Sequence, residues 1–529
     1  MNSPRYSSGK SKILVLIKYL GLISFFAVVF APLAALFYEA ARSLFGVPGA
    51  WSDFGARRLF LLLRSAGLAA GVASCVAVLG VLIASVLIHW NTGRVARLRW
   101  LAVVPALLPP YVHAMAWDAS FFRLNVLAKS AGFGSVQVDG WLAAWWVQVM
   151  ALLPIAVGLS LLSFETVKPK LIEAALVHRP ELDVLNRVVL PLAAPVILAG
   201  AGIVFVLSLA DYTIPSLFLV NVYPLEIFAE FSAGSDPGRA MLLSLPLLLV
   251  TLLVMVLVQL PIRRVVDASS GRAGRWTVSP IWSGWFGALQ VFSLLILTLQ
   301  LAVPLVELMI KAGGWPAIFT AVSYAKSEII YTFIIALLVA LFCLLIGLAP
   351  AMELNRSGKG SGIWWLLLAL PLAVPASLVG IGLITVWNQP VLQHFYSSLL
   401  MPVMAGLARF APLGALIIFA QLRRIDPLLL DAARVAQKSP WQAWTQVGLP
   451  LLRPGLVAAA LVSFALTAGE LGATLLVAPP GQATLTMRIY NYLHYGASGS
   501  VAGLCLLMVT AGLAAGAASV FAMTRSSSR

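Results

Sequence analysis

Charged residues are scarce in this 529-residue chain. They make up 10% of it, whereas 61% of the residues are hydrophobic, and the mean hydropathy is +0.97. A soluble domain carries about 25% charged residues, so the composition excludes a string of soluble domains. Apolar runs long enough to cross a hydrocarbon core of about 30 Å as helices recur along the whole length. The composition therefore predicts an all-α, polytopic membrane protein.

Cysteine and histidine are also rare. The three cysteines (Cys75, Cys343 and Cys505) lie inside apolar runs without CxxC spacing, which excludes a disulfide framework and favours small buried side chains. The 5 histidines are dispersed along the chain. We therefore expect no metal site. No His/Asp/Glu constellation converges at one interface, so we expect no catalytic residues and no enzyme.

A phosphate-binding loop of the GxxxxGK[ST] type is missing from the sequence. Gly9-Lys10-Ser11 has Pro4 where the first glycine would stand, and Gly358-Lys359 lacks the rest of the pattern. The chain is therefore not expected to bind ATP phosphates or any other cofactor.

What the chain does have is positive charge, with 35 Lys and Arg against 19 Asp and Glu and a net charge of +16. Most of the basic residues fall in loops on one side of a twelve-span topology, which the positive-inside rule makes cytoplasmic. The topology also places both termini on the cytoplasmic side. Membrane lipid is the expected partner of the spans. Basic clusters interleaved with aromatics on a soluble face are missing, which argues against nucleic acid as a partner.

Twelve spans fit the apolar runs, and the first run is too long for a signal-peptide core. Six spans precede a basic, Gly/Ser-bearing stretch that begins at Arg263. We predict a first half at 1–262, a cytoplasmic linker at 263–283 and a second half at 284–529. The expected spans are 13–37, 59–89, 100–118, 141–164, 192–222, 240–262, 284–311, 328–352, 363–387, 397–421, 451–478 and 499–524.

The two halves repeat each other, as their prolines and acidic residues show. Within each group of matched positions the offset between the halves is constant. Because each half has an even number of spans, the repeat is parallel, about an axis along the membrane normal. The three groups are Pro105 and Pro109 with Pro371 and Pro375; Pro154, Pro169 and Glu173 with Pro412, Pro427 and Asp431; and Pro191, Pro195 and Asp211 with Pro450, Pro454 and Glu470.

Each half also contains a polar island between its fourth and fifth spans. The first island (residues 173–191) runs from Glu173-Ala174-Ala175 to Leu190-Pro191, and the second island (residues 431–450) runs from Asp431-Ala432-Ala433 to Leu449-Pro450. In the second, we predict a helix over 427–436. Ser439, Pro440 and Gln442 then form a helix start of the capping-box type, and Pro450 redirects the chain into the next span.

Both islands resemble the EAA loop of ABC importer permeases, the coupling helix that docks on a separate ATPase subunit. The resemblance implies that Glu173, Ala174 and Ala175, and Asp431, Ala432 and Ala433, make that contact, with Leu190-Pro191 and Leu449-Pro450 closing each loop. The family's glycine is replaced by Arg179 in the first island and Gln437 in the second. A left-handed residue other than glycine costs about 1–2 kcal/mol, so we expect altered turns and unequal coupling.

Further segments resemble fused ferric-iron-type permeases, namely Leu209-Ala210-Asp211-Tyr212, Asp236-Pro237-Gly238-Arg239 and Gly469-Glu470-Leu471-Gly472. This resemblance implies a type I permease fold in a bacterial inner membrane. It also implies two ATPase subunits that bind the ATP and Mg²⁺, and a periplasmic substrate-binding protein. Ferric iron is the expected substrate, with thiamine or phosphonate as alternatives. A secondary transporter is the alternative from another class.

Asp211 and Glu470 are expected inside the fifth and eleventh spans. An intramembrane carboxylate costs at least about 2.5–3.5 kcal/mol, so it should face the protein interior or a wet cavity. One hypothesis places both, with Tyr212, beside a central pathway for a cation. The other gives them a structural role, capping a helix break or pairing with a neighbouring helix.

Overall fold

The computed structural model describes residues 8–46, 55–88, 99–135, 137–268, 284–356, 361–437, 439–495 and 498–526. Every regular element within these ranges is helical, which confirms the predicted all-α class. The α-helices are α1 Ser8–Val29, α2 Ala31–Gly46, α3 Ala56–Leu87, α4 Pro110–Ser130, α5 Gly140–Glu165, α6 Pro169–Leu176, α7 Glu181–Val184, α8 Leu190–Ala210, α9 Thr213–Leu217, α10 Tyr223–Gly234, α11 Pro237–Ala268, α12 Gly284–Ala312, α13 Trp315–Tyr324, α14 Lys326–Asn355, α15 Ser361–Ala369, α16 Ala376–Trp387, α17 Gln393–Tyr396, α18 Leu400–Leu422, α19 Pro427–Ala436, α20 Pro440–Ala443, α21 Leu449–Ala468, α22 Thr474–Val477, α23 Leu485–Tyr495 and α24 Ser498–Ser526.

The described residues include nine helices long and apolar enough to cross a membrane, or up to twelve spans if each of three bent pairs counts as one. The first pair, α1 and α2, bends by 44°. In the other two pairs a 3₁₀ segment precedes α4 or α16, with bends of 94° and 97°. The count agrees with the predicted twelve, but three of the spans are broken.

The two sharp bends occupy equivalent places in the halves. Pro109 precedes α4 and Pro375 precedes α16, and both adopt extended backbone angles at the helix start. A proline disfavours helical geometry in the residue before it, and Val374 is accordingly extended. The predicted spans over 100–118 and 363–387 are therefore each broken, because the apolar run turns by about a right angle at its second proline.

The fifth and eleventh spans begin and end earlier than expected. They cover Leu182–Ala210 and Trp441–Ala468, against the predicted 192–222 and 451–478. At the far end each helix breaks at its acidic residue, Asp211 or Glu470, and a short helix follows (α9 or α22). The break therefore ends the span before the apolar run does.

Each half builds its core from the same three helices. In the first half α3, α5 and α8 pack on one another and α11 packs on α8. In the second half α14, α18 and α21 pack together and α24 packs on α21. Cys343 and Cys505 are buried in these cores, and Cys75 is partly buried. The packing repeats as the proline pattern predicts.

The first helix of each half, by contrast, packs largely on the opposite half. Helix α1 lies against α14 and α18, whereas α12 lies against α3 and α4 as well as α24. Phe25 of α1 is completely buried in the second-half cluster. A division into 1–262 and 284–529 thus describes the sequence repeat but not two separate cores. Helix α11 runs to Ala268, so the predicted linker starts as helix, and its residues 269–283 lie outside the described ranges.

Candidate functional site

The first island begins within the exposed helix α6, which follows α5 after three residues. Pro169 occupies the first helical position, where its missing N–H is not needed. Lys168 stands at the N-cap without a side-chain hydrogen bond to the helix. Glu173 and Ala174 are exposed, and Ala175 is partly buried. The acidic and small residues of the motif thus share a short surface helix.

The second island is better capped. The Asp426 carboxylate accepts a hydrogen bond of 2.9 Å from the Leu428 N–H at the start of α19. Helix α19 matches the predicted 427–436. The Ser439 hydroxyl then accepts from the Gln442 N–H at 3.3 Å, which confirms the Ser439 cap. The reciprocal half of the predicted capping box is absent, because the Gln442 Oε1 is buried without a hydrogen-bond partner among the described residues. An Asp cap is worth about 1 kcal/mol over an uncapped end, which makes the second loop the more firmly ordered of the two.

A turn of π-helix leads from each island into the membrane. It spans Leu185–Val189 in the first half and Trp444–Gly448 at the equivalent place in the second. The N–H groups of Leu190 and Leu449 each bond to the carbonyl five residues back.

The π-turns explain how the helices tolerate Pro191 and Pro450. A proline in a helix removes one hydrogen bond and crowds the carbonyl four residues earlier, and the wider turn relieves that crowding. The expected change of direction at Pro450 is wrong, because the helix runs on from Trp441 to Ala468.

Arg179 and Gln437 do not take up the left-handed conformation expected of the family's glycine. Gln437 is extended, with φ −100° and ψ 146°. Among the described residues other than glycine, positive φ occurs at Leu219 and Ser235. The expected strain is therefore absent at both positions, and an Arg179–Asp183 ion pair of 3.7 Å spans the turn in the first island.

Both islands expose apolar side chains at matched positions. Val177 is 77% exposed, and its counterpart Val435 in the second island is 87% exposed. Leu171 and Leu429, which also correspond in the repeat, are exposed on the preceding turns of the two helices. Each loop thus carries an apolar patch beside its acidic residue, a combination that suits a protein partner.

The Asp211 carboxylate caps the helix break of the first half. It accepts from the Thr213 N–H at 2.9 Å and the Ile214 N–H at 3.4 Å. The Gln148 amide donates to it at 3.1 Å, and Gln148 is held in turn by the Ser208 hydroxyl at 2.7 Å. These contacts satisfy the first N–H groups of α9, which agrees with the structural hypothesis. A pathway role for Asp211 stays a prediction.

Glu470 performs the same task in the second half with one addition. Its carboxylate accepts from the N–H groups of Ala473 and Thr474, each at 2.9 Å, and from the Arg409 guanidinium at 2.5 Å. The Glu470 side chain is fully buried, whereas that of Arg409 is 30% exposed. The second break therefore carries an ion pair where the first has an amide.

Tyr212 brings the two breaks together. Its ring stacks on Phe228 with centroids 5.5 Å apart. A methyl group built on Gly472 would lie 3.6 Å from both the Tyr212 hydroxyl and the Glu470 Oε1. Arg409 was not among the residues predicted from the sequence, although an arginine within a predicted span is costly enough to indicate a buried partner.

Comparisons with known proteins fit this architecture. The family model of the "binding-protein-dependent transport system inner membrane component" matches residues 343–527, which include the second island and Glu470. A molybdenum transport system permease protein, ModB of Mycobacterium tuberculosis, is 30% identical over 233 residues, which are 40% of this chain and 86% of the relative. The chain belongs to this family of binding-protein-dependent inner membrane components.

Two other relatives cover different shares of the chain. PhnV of Salmonella paratyphi A, named as a putative 2-aminoethylphosphonate transport system permease protein, is 32% identical over 171 residues, or 32% of this chain. FbpB of Actinobacillus pleuropneumoniae, named as a ferric transport system permease protein, is 23% identical over 435 residues, or 75% of this chain. The chain spans 64% of the length of PhnV and 61% of that of FbpB.

Proposed function

We propose that this chain is the permease subunit of a binding-protein-dependent ABC importer, with both halves of the translocation pathway in one polypeptide. The observation that carries the proposal is the duplicated island. Twice, an exposed helix bears an acidic residue, an Ala pair and exposed apolar side chains, and twice a π-turn joins it to a core span. The islands lie on the cytoplasmic side, as do both termini.

Two ATPase subunits would dock on the islands. Val177 and Val435 offer apolar area, and the Ala pairs permit close approach of the partner's backbone. Glu173 and Asp431 add a negative charge for a basic group of the partner. ATP and Mg²⁺ belong to these partners, and the chain itself catalyses no covalent reaction.

The π-turns connect each island rigidly to a helix of the membrane core. Because the helix continues from Leu182 to Ala210 and from Trp441 to Ala468, a displacement of an island moves α8 or α21 as a rod. The far ends of these rods are the breaks at Asp211 and Glu470. Closure of the ATPase pair would thus shift the two breaks relative to each other. The translocation pathway would then open to the opposite side of the membrane.

The two islands are proposed to couple unequally. The second has a capped helix of 10 residues and the first an uncapped one of 8 residues. The less ordered first helix would lose more conformational entropy on docking, so the second island should contribute more to ATPase affinity.

A periplasmic binding protein would deliver the solute. Two classes of substrate are proposed. Ferric iron is proposed from the fused ferric-type resemblance and from the FbpB alignment, which extends over both halves. An oxyanion or a phosphonate is the second candidate, favoured by the higher identity to PhnV and ModB.

The test is co-purification of the ATPase with Val435→Asp and Val177→Asp. A buried carboxylate in an apolar interface is unfavourable, so we expect at least a tenfold loss of bound ATPase, larger for Val435→Asp. Val391→Asp is the matched control, because Val391 is 92% exposed in the segment after α16, away from both islands. Wild-type ATPase retention in both island variants would refute docking there. Uptake driven by a proton or sodium gradient through the chain alone would instead indicate a secondary transporter.

A further inference from the structure

We propose that the junction between the halves is a transit site for a small oxyanion, formed by the Arg409 guanidinium and the hydroxyls of Tyr111 and Tyr212. The proposal rests on the permease function above and names the class of solute that crosses. Three observations carry it: the carboxylates already accept hydrogen bonds, the hydroxyl and guanidinium donors are not fully used, and the two helix breaks pack against each other.

The carboxylate oxygens at the junction are already occupied. Both oxygens of Asp211 accept from N–H groups, two of the backbone and one of Gln148. Both oxygens of Glu470 accept from backbone N–H groups, and Oε1 also accepts from Arg409. A metal cation that used these carboxylates would have to break the caps of two helices and an ion pair. The charged acceptors are therefore committed to the fold.

The donors at the junction are in the opposite state. The hydroxyls of Tyr111 and Tyr212 have no hydrogen-bond partner among the described residues, although the two residues are only 1% and 4% exposed. A buried hydroxyl without a partner costs about 1–3 kcal/mol. Arg409 donates one hydrogen bond to Glu470 and is half-buried. A guanidinium has five N–H groups, so it retains donors for a second anion.

These donors come from both halves, and the start of α4 packs beside the second break: a Cβ built on Gly469, next to Glu470, would lie 2.8 Å from the Cγ of Pro109, two residues before Tyr111. Tyr111 is the second residue of α4 and Tyr212 lies just after α8, whereas Arg409 lies on α18. The Tyr212 hydroxyl and the Glu470 Oε1 are each 3.6 Å from the same point beside Gly472.

This donor set selects for charge and shape. A guanidinium binds the oxygens of phosphate-like groups through paired N–H donors, and two phenol hydroxyls can meet the remaining oxygens. Since Glu470 retains its own N–H partners, it can share Arg409 with an incoming anion. Because donors line the site and its carboxylates are engaged, phosphate, phosphonate or molybdate groups fit better than bare Fe³⁺.

The experiment uses the whole importer, with its ATPase and binding protein, in proteoliposomes. Uptake of inorganic phosphate, 2-aminoethylphosphonate, molybdate and Fe³⁺ is measured together with ATP hydrolysis. Tyr212→Phe and Tyr111→Phe remove only the hydroxyls. Tyr331→Phe is the matched control. The Tyr331 hydroxyl is also buried without a partner in the described part of the chain, but Tyr331 lies on α14 and packs in a different hydrophobic cluster.

We expect ATP-driven uptake of an oxyanion, and a fall of at least fivefold in solute moved per ATP for each junction variant, with Tyr331→Phe unchanged. A purely structural lesion would lower ATPase assembly and uptake together and leave that ratio intact. Uptake of Fe³⁺ alone, or an unchanged ratio in both junction variants, would overturn the oxyanion site while leaving the permease function standing. ATP-independent uptake, or no ATPase association, would overturn both.

Discussion

Arg99 and Glu165 form an ion pair that ties the start of the broken third span to the last residue of α5. Both side chains are largely buried, and Arg424 of the second half lies within electrostatic range of the same carboxylate. Glu165 stands shortly before Pro169, where α6 begins. The pair therefore anchors the first island to the membrane core.

Glu165→Gln should be strongly destabilising, because it leaves the buried Arg99 charge without its partner. Loss of one member of a buried pair costs about 3 kcal/mol, to be measured as the free energy of unfolding in detergent. The control is Glu39→Gln, since Glu39 meets the exposed Arg42 at 4.0 Å and such a pair is worth about 0–1 kcal/mol. Equal effects of the two substitutions would contradict the anchoring role.

Gly382→Ala should separate α16 from α2. A Cβ at Gly382 would lie 2.6 Å from the carbonyl oxygen of Pro32, a backbone atom that a side-chain rotation cannot move. We expect a loss of about 1–3 kcal/mol in unfolding free energy. Gly67→Ala is the control: no atom of the described residues lies within 4 Å of the added Cβ, and alanine should stabilise α3 by about 0.5–1 kcal/mol. A stabilising Gly382→Ala would show that the helices are not in close contact.

Pro450→Ala should impair coupling more than folding. The new N–H would permit an ordinary α-turn in place of the π-turn at Trp444–Gly448, which would rotate the second island about the helix axis. We expect ATPase binding to persist and solute uptake per ATP to fall severalfold. Pro246→Ala in α11, a helix without a described π-turn, serves as control. Unchanged uptake per ATP in Pro450→Ala would rule out a mechanical role for the turn.

Asp211→Asn and Glu470→Gln should differ sharply. Asparagine keeps a cap for the N–H groups that follow, so Asp211→Asn is expected to lower stability by less than about 1 kcal/mol. Glu470→Gln removes the partner of Arg409 and should cost about 3 kcal/mol. Thermal unfolding of both variants, with uptake at a permissive temperature, checks this. Similar stability losses would contradict the asymmetry, and wild-type uptake by both would refute any part in the pathway.

The features that could be predicted from the sequence are those that follow a regular pattern along the chain. The proline offsets located the repeat, and the duplicated islands located the candidate docking loops, down to α19 and the Ser439 cap. The bends at Pro109 and Pro375 were missed, since a continuous apolar run looks like one straight span. What bends it is the backbone conformation before a proline.

The contents of the junction were harder to predict. Arg409 has no counterpart in the first half, where Ala151 occupies the equivalent place in the repeat. The repeat pattern therefore does not reveal it. Asp211 and Glu470 were found, but their hydrogen bonds depend on where the helices stop. That the hydroxyls of Tyr111 and Tyr212 find no partner in the described part of the chain depends on three-dimensional packing alone.

The exchanged first helices also bear on how the protein is made. Helix α1 ends at Val29, and its packing partner α14 begins only at Lys326, more than half the chain later. At about 5–20 residues per second, synthesis of the intervening stretch takes roughly 15–60 s. During that time Phe25 remains exposed to lipid, because the second-half helices that bury it have not yet been synthesised. Assembly of the first half is thus completed only by translation of the second, and a fused chain delivers both at equal amounts and in the same place.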